Sequence, residues 1–382
     1  MAVVPRTLRG LLPGGRMLVA PFFLMCGYGM VRPLSNSLFT EYLGAARIPW
    51  ALAAVPLVVT LVMAAYSRLL TATGPRRTLR YTTLASALLL LAPILAGGAP
   101  GAGLLYVWRE VYVVLLVEQY WAYANSSHEV AGGKKVYGPF LLAGGLGALA
   151  GNGLVVLGVG VLGSWPMAAL AVLTLVPFAR LMDGVHRDRP VVPRGGSEPA
   201  PGAGGLGLLL RQRTLFCLGL MVALGQVLGA AMDVSFHVHL QAAVPDLDLR
   251  SAREAGFWAS VNAASLALNL AAPLVLARVS LPLLHLLVPL VHLGLCATAL
   301  GAPGAGTAGL ALAAFKVLDY SLFRCAKELL YIPLSFDARF RSKMLIDMVI
   351  YRVFRGAGGL ALGAAGLAGA ALPALAAGCA LA

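Results

Sequence analysis

The chain has 382 residues, of which 59% are hydrophobic and only 12% are charged. This balance excludes an ordinary soluble domain, in which about a quarter of the residues are charged. The formal net charge of +14 does not indicate a nucleic-acid binder, because the arginines and lysines lie mostly in short segments between apolar runs. The five cysteines show no CxxC spacing, so the sequence indicates neither a disulfide framework nor a metal site.

Apolar runs of about 20 residues, long enough to cross the hydrocarbon core of a bilayer, follow one another along the first half of the chain. The first run begins at Met17 and continues past Arg32 without a signal-peptide cleavage site, so we predict a helix there. The runs are continuous rather than alternating, which favours helices over barrel strands. Five further spans are predicted at about 48–69, 79–97, 103–125, 137–160 and 164–182.

A polar tract rich in proline and glycine, residues 183–205, separates these six spans from the rest of the chain. Its composition predicts a flexible cytoplasmic linker between an N-terminal half, residues 1–182, and a C-terminal half, residues 206–382. The last predicted span is short and rich in alanine and glycine, so eleven spans are the alternative to twelve. The second half has predicted spans at about 206–232, 254–277, 281–300, 306–330, 343–363 and 365–382.

The sequence therefore predicts an all-α membrane protein with about 12 transmembrane helices in two six-helix halves. Basic residues recur in the loops on one side, which predicts that both termini are cytoplasmic. Two such halves joined by a central linker are the plan of the major facilitator superfamily, whose substrate site lies near the midplane between the halves. The superfamily's signature in loop 2/3 is present only as residues 71–77, Thr-Ala-Thr-Gly-Pro-Arg-Arg, without its acid.

Charged residues occur inside two spans of the second half that are otherwise apolar. Lys316 lies ten residues after Gly306, so it is expected about 15 Å deep in the membrane. Asp319 is one turn away on the same face, and Tyr320 lies beside it. One interpretation is an ion pair in which the two buried charges neutralise each other. The other is a cation for an anionic substrate next to an acid that exchanges protons.

Arg352 and Arg355 are also expected near the midplane, three residues apart in the following span. Asp347 lies two turns from Arg355, and a single acid cannot neutralise both arginines. Because the guanidinium fork matches phosphate and carboxylate geometry, these arginines favour an anion site.

Two helices of the first half carry polar faces. One face combines Glu110, Glu118, Trp121 and Asn125 at helical spacing, and another helix carries Tyr28 and Arg32. The tyrosines and Trp121 are candidates for stacking on a ring of the substrate, and the acids are candidates for proton coupling or ion pairs. Charges placed inside the membrane are five basic (Arg32, Arg109, Lys316, Arg352, Arg355) against four acidic (Glu110, Glu118, Asp319, Asp347), which favours an anionic solute.

Two segments resemble the ATP/ADP translocases, the nucleotide transporters of plastids and intracellular bacteria. Residues 319–334, Asp-Tyr-Ser-Leu-Phe followed by Ala-Lys-Glu-Leu-Leu-Tyr-Ile-Pro-Leu, are similar to the family's helix 10, and Ile346-Asp347 opens the next helix as in the family. Residues 121–125, Trp-Ala-Tyr-Ala-Asn, resemble the family's Trp-Gly-Phe-Ala-Asn. By this resemblance, Lys327 and Glu328 occupy the positions of the family's Lys-Glu motif, and the resemblance implies nucleotide transport.

We therefore expect a secondary active transporter in the bacterial inner membrane that moves an anionic, nucleotide-like solute by exchange or proton coupling. The expected substrate-binding residues are Tyr28, Arg32, Trp121, Asn125, Lys316, Tyr320, Arg352 and Arg355. No catalytic residue, metal, cofactor or nucleic acid is expected, and the chain is expected to be a monomer whose partners are the bilayer and the solute. The alternatives are a proton-coupled transporter or exporter of another organic solute and, third, a sensor or assembly protein that does not transport.

Overall fold

The computed structural model describes residues 6–127, 130–188, 204–331, 345–366 and 371–381. Within these ranges the chain is helical and contains no strand. Most of the predicted linker, and the side chains of Asn125 and Asp347, lie outside the described residues. The first part of the chain forms α1 (Arg6–Leu43), α2 (Ile48–Ala96), α3 (Gly98–Ser127), α4 (Val130–Leu162), α5 (Ser164–Val172) and α6 (Leu175–Asp188).

The second part of the chain is also built from helices, several of them shorter than a full span. A π-helical turn, Leu345–Ile350, precedes α13, and such turns often occur at functional sites. The helices are α7 (Gly204–Arg211), α8 (Arg213–Ala243), α9 (Leu247–Arg278), α10 (Leu281–Gly301), α11 (Ala305–Tyr320), α12 (Leu322–Tyr331), α13 (Tyr351–Ala364) and α14 (Ala371–Leu381).

Eight stretches of the described chain are long and apolar enough to cross a membrane. One of them, Ala45–Ala96, contains two predicted spans, because α2 is interrupted at Gly74 with φ 75° and ψ 165°. Only glycine adopts that region readily, and the following Pro75 starts the next helix without needing a hydrogen-bond partner for its nitrogen. The all-helical membrane fold is thus confirmed, and the predicted spans near 306–330, 343–363 and 365–382 contain broken or short helices.

The predicted span 306–330 is broken at Ser321, which has φ −130° and ψ −103° between α11 and α12. The Ser321 hydroxyl donates a hydrogen bond to the Val317 carbonyl, and the Asn269 side-chain amide donates one to the Tyr320 carbonyl at 3.3 Å. These side chains satisfy backbone groups that an unbroken helix would satisfy itself. The break directly follows Asp319 and Tyr320, two of the candidate site residues.

The described residues divide into two compact units. The first contains α1, α2 from Leu57 onwards, α3 to α6, and the part of α9 within Asp246–Asn262. The second contains Gly44–Pro56, α7, α8, the remainder of α9 and α10 to α14. In the second unit, α8 is buried on all sides from Leu228 to His237. The division of the sequence into moving halves at residues 183–205 stays a prediction.

An ion-pair cluster in the first unit supplies the acid that the loop 2/3 signature lacks. Asp183 on α6 accepts a hydrogen bond from Arg76 Nε at 2.8 Å, and its Oδ1 lies 2.7 Å from Arg80 Nη2. Arg187, one turn further along α6, reaches the other carboxylate oxygen at 3.2 Å. Because the arginines are exposed, each pair contributes little alone, and the cluster acts as a network that fixes α6 against the second segment of α2.

Helices α1 and α4 of the first unit approach each other so closely that backbone touches backbone. A Cβ atom added to Gly147 would lie 2.1 Å from the Phe22 carbonyl oxygen, and one added to Gly151 would lie 2.1 Å from the Cys26 carbonyl oxygen. The glycine- and alanine-rich run of α4 therefore permits close helix packing, as small residues do in membrane bundles.

This contact predicts that Gly147→Ala destabilises the protein, because the added methyl group must push the two helices apart. We expect a loss of about 1–3 kcal/mol, the usual cost of overpacking, measured as a lower melting temperature in detergent. Gly153→Ala is the matched control on the same helix, since a Cβ there would meet no atom within 4 Å. Equal destabilisation by both variants would contradict the close α1–α4 contact.

Candidate functional site

Lys316 is the most completely buried charged residue of the predicted site, with 0% of its surface exposed. Among the described residues, its Nζ atom has no hydrogen-bond partner. The rings of Phe315 and Tyr320 lie 5.1 Å and 5.7 Å from Nζ, close enough for weak attraction to a cation. A buried ammonium group without a hydrogen bond is costly, which makes it a candidate for binding a ligand.

The predicted neighbour of Lys316, Asp319, does not form an ion pair with it. No described acid lies within 4 Å of the lysine nitrogen, so the interpretation as a mutually neutralising pair does not hold in this conformation. Asp319 instead lines a cavity of about 320 Å³ whose walls come from α8, α10, α11, α12, α13 and α14; we call it the second-unit cavity. Lys327 lines the same cavity, and Glu328 is half-buried beside it on α12.

Arg355 contacts an acid on another helix. Its Nη2 donates a hydrogen bond to Asp233 Oδ2 at 3.4 Å, and Asp233 on α8 is only 4% exposed. His237, one turn along α8, is buried too and lies 3.9 Å from the other Asp233 oxygen. His237 is thus part of the buried polar cluster around Asp233 and is not exposed to solvent. Arg352 is half-buried and has no ion pair within the described part of the chain.

In the first unit, Arg109 is held by α1. Its Nη1 donates hydrogen bonds to the Arg32 carbonyl at 2.6 Å and to Ser35 Oγ at 2.8 Å. Its Nε lies 3.4 Å from Glu110 Oε1, and its guanidinium carbon lies 4.2 Å from the centre of the Tyr106 ring. These contacts give Arg109 and Glu110 a structural role that ties α3 to α1.

The Arg32 side chain stacks on an indole that sequence reasoning did not select. Its guanidinium carbon lies 3.2 Å from the centre of the Trp258 ring and 5.8 Å from that of Tyr28. Trp258 is buried and donates a hydrogen bond to Glu254 at 3.4 Å. The stacking fixes the plane of the Arg32 guanidinium group. Its N–H groups therefore donate hydrogen bonds within that plane, along the edges of the group.

Glu254 is a second buried acid that the sequence analysis missed. It accepts hydrogen bonds from the amide of Asn36 and from Ser37 Oγ, the latter at 3.2 Å. One turn earlier on α9, buried Arg250 donates to Glu41 at 2.5 Å. The signal was present in the sequence, since Arg250 and Glu254 share one face of α9. The predicted span began only at residue 254, whereas α9 begins at Leu247.

The remaining predicted site residues are Glu118 and Trp121 on α3 and Tyr320 on α11. Trp121 is half-buried and packs edge-on against Tyr120 at 5.5 Å, while Tyr120 donates a hydrogen bond to the Met17 carbonyl at 2.9 Å. Glu118 and Tyr320 are half-buried. Among the described residues, no base lies within ion-pair distance of Glu118, so it remains a candidate for proton exchange.

No protein-family model matches the chain, and neither does any curated protein sequence. Solved structures do match. Nucleoside transporter NupG superposes with a TM-score of 0.73 at 12% identity, covering 97% of this chain and 96% of that one. The chain therefore shares the fold of these solved transporters. The inward-open xylose transporter XylE from E. coli gives a TM-score of 0.63 at 12% identity, over 97% of this chain and 95% of that one.

A bacterial homologue of the iron transporter ferroportin, in the inward-facing state, has a similar fold. It matches with a TM-score of 0.65 at 14% identity and covers 100% of this chain and 97% of that one. At such low identities these similarities establish the fold alone, because one fold carries many substrates. The resemblance to ATP/ADP translocases depends on the sequence motifs and contributes only to the proposal below.

The buried charges of the described residues are more evenly balanced than the sequence count indicated. Asp233, Glu254 and Arg250 are all buried, and none was included in that count. Adding them makes the two signs equal. The case for an anionic solute therefore depends on the environment of Lys316 and not on an overall excess of positive charge.

We predict that Asp233→Ala destabilises the protein, because it removes the buried carboxylate to which Arg355 donates a hydrogen bond. The expected loss is about 3 kcal/mol, the lower end of the cost of breaking a buried pair, measured as a drop in melting temperature in detergent. The double variant Asp233→Ala/Arg355→Met should recover most of this loss, since it removes both charges of the pair. A double variant less stable than Asp233→Ala would show that the pair is not the source of the effect.

Proposed function

We propose that the chain is a secondary transporter that moves a small anionic solute across a membrane by alternating access. The major-facilitator fold supports this proposal, and one observation of the site carries it: Lys316 is fully buried and makes no hydrogen bond within the described part of the chain. A cation held in this way is stabilised when an anion binds beside it.

In the proposed mechanism, the sequence halves 1–182 and 206–382 rock about a site near the midplane, joined by the linker 183–205. Arg32, Lys316, Arg352 and Arg355 would attract the anion. Arg355 already donates a hydrogen bond to Asp233. To bind Arg355, the anion would have to share the guanidinium group with the Asp233 carboxylate or displace that carboxylate. The helix break at Ser321 gives α11 and α12 a joint next to Lys316 and Asp319.

Proton coupling would use an acid that is not held by a base at close range. Asp319 is the first candidate, because it lines a cavity and has no ion pair among the described side chains. Glu118 on α3 is the second. Exchange of one anion for another is the alternative to proton coupling.

For the substrate itself, we propose a nucleotide-like anion. This rests on the resemblance of residues 319–334 and 121–125 to the ATP/ADP translocases, which places Lys327 and Glu328 at the family's Lys-Glu motif. Among the fold relatives, NupG is a nucleoside transporter by its name. Tyr28, Trp121, Asn125 and Tyr320 would contact the base or sugar.

A second candidate function is proton-coupled transport or export of a different organic solute. The even balance of buried charges favours it, because Asp233 and Glu254 compensate part of the basic set. In either case we propose an inner-membrane protein of a bacterium with both termini in the cytoplasm, acting as a monomer, without enzymatic activity or a cofactor.

The test is binding and transport by purified protein. A thermal-shift screen against ATP, ADP, inorganic phosphate and succinate should identify an anion that raises the melting temperature, because a ligand of the native state stabilises it by mass action. In proteoliposomes, Lys316→Met should lower uptake of that anion at least about tenfold, the effect of losing one charge-assisted hydrogen bond.

The matched control is Arg47→Met, which removes an exposed positive charge and should leave uptake unchanged. The neutral nucleosides adenosine and uridine serve as the competing substrates in the same assay. Uptake retained by Lys316→Met, or uptake of nucleosides without any response to anions, would refute an anion site at Lys316.

A further inference from the structure

The second-unit cavity has features of a binding site beyond the one wall residue, Asp319, that the transport proposal uses for proton exchange. Its volume of about 320 Å³ is at the lower end of the range for small-molecule pockets, about 300–1,000 Å³. Most of its wall is apolar, and Phe315 and Phe323 contribute rings to it. Lys316 is not part of the wall, so the cavity is separate from the proposed anion-binding nitrogen.

Two buried polar side chains face this cavity without a protein partner. Gln226 on α8 is 4% exposed and His292 on α10 is 8% exposed, and neither side chain forms a hydrogen bond within the described part of the chain. His292 packs against Phe315 with ring centres 5.5 Å apart, which fixes the plane of the imidazole. Buried polar groups are normally paired, so these two indicate a missing hydrogen-bonding partner inside the cavity.

The imidazole of His285 is a third polar group in the cavity wall, with one nitrogen that lacks a hydrogen-bonding partner among the described residues. His285 Nδ1 lies 2.8 Å from the Leu281 carbonyl, one turn before it on α10. Nδ1 must therefore carry the proton, which leaves Nε2 as an acceptor in the neutral ring. Nε2 is buried, has no partner among the described residues, and belongs to a residue of the cavity wall. The cavity thus presents donors and acceptors at Gln226 and His292, and its wall residue His285 holds a further unsatisfied acceptor just beneath the surface.

The charges around the cavity disfavour an ionic ligand. Asp319 lies in the wall, so an anionic head group would meet a carboxylate. A cationic head group would meet the Lys327 ammonium group, which also lies in the wall. A neutral head group avoids both repulsions and still satisfies the three uncharged polar side chains.

We propose that the second-unit cavity binds a neutral ring compound whose head group both donates and accepts hydrogen bonds, as a primary amide or a lactam does. The Gln226 amide pairs with the head group, His285 Nε2 accepts from it, and the ring body packs against Phe315 and Phe323. This site goes beyond the proposed transport function, since binding here requires neither Lys316 nor movement of the protein.

The cysteines of the chain provide a direct readout. Cys217 and Cys379 lie in the cavity wall, whereas Cys325 does not. Purified full-length protein is treated with methyl methanethiosulfonate, which modifies thiols, and the rate at each cysteine is followed by mass spectrometry. The probes share one body and differ in head group: 3-phenylpropanamide, 3-phenylpropylammonium and 3-phenylpropanoate. We expect the amide to slow modification of Cys217 and Cys379 at concentrations about tenfold below those of the two ions, and to leave Cys325 unaffected.

The variant Gln226→Leu should weaken protection by the amide about tenfold, because a buried hydrogen-bonding partner is lost. Gln212→Leu, near the start of the same helix and outside the cavity wall, should leave protection unchanged. His285→Leu gives a second test should Gln226→Leu fail to fold.

Equal protection by all three head groups, or protection that survives Gln226→Leu and His285→Leu, would overturn the proposal. Absence of protection by any probe, as expected when lipid chains fill the cavity, would overturn it too. Because the readout is thiol modification and not uptake, it gives its answer whether or not Lys316 binds an anion.

Discussion

The cost of holding charge inside a low-dielectric bundle is the constraint that shapes both units of this protein. Each deep charge must find an opposite charge, a ring or a set of hydrogen bonds on a neighbouring helix, or be left for a ligand. Arg109 is satisfied by a carbonyl and a hydroxyl of α1, Arg355 by Asp233, and Arg32 by the face of Trp258. Lys316 is fully buried and its Nζ atom has no hydrogen-bond partner among the described residues, which is why the proposed anion site centres on it.

The same constraint explains how helices in a membrane stay in place although the hydrophobic effect does not drive them together. In the first unit, α4 contributes glycine backbone to α1, and α3 contributes Arg109 to the same helix. Apolar side chains contribute little specificity in lipid, because lipid tails are equally apolar. Close backbone contact and a few cross-helix hydrogen bonds therefore determine which helices are neighbours and in which register.

Composition and run length were enough to predict the membrane class, the helical fold and the order of spans. The Gly74-Pro75 pair marked the end of one helix and the start of another, since each residue has a backbone preference that can be read from the sequence. The break at Ser321 has no such marker. Its neighbours are ordinary helix formers, and the stabilising bond to the Tyr320 carbonyl comes from Asn269, 51 residues away.

Some of the site residues could likewise be predicted from the sequence, and others could not. Helical spacing identifies neighbours on one helix, so Lys316, Asp319 and Tyr320 could be grouped from the sequence. Partners on different helices could not be found by spacing, and this is why Asp233 was missed as the acid for Arg355 and Trp258 as the ring under Arg32. The cavity polar groups Gln226 and His292 were missed for a further reason: a single amide or imidazole in an apolar run does not reveal whether its partner is protein or ligand.

The glycine contacts between α1 and α4 have a mechanical consequence. Where two helices meet through main-chain atoms, as at Gly147 and Gly151, a change of side-chain rotamer cannot absorb a displacement. Helices α1 and α4 are therefore expected to move together as one rigid body. Flexibility in this protein belongs elsewhere, at joints such as Ser321 where the helical hydrogen-bond ladder is already interrupted.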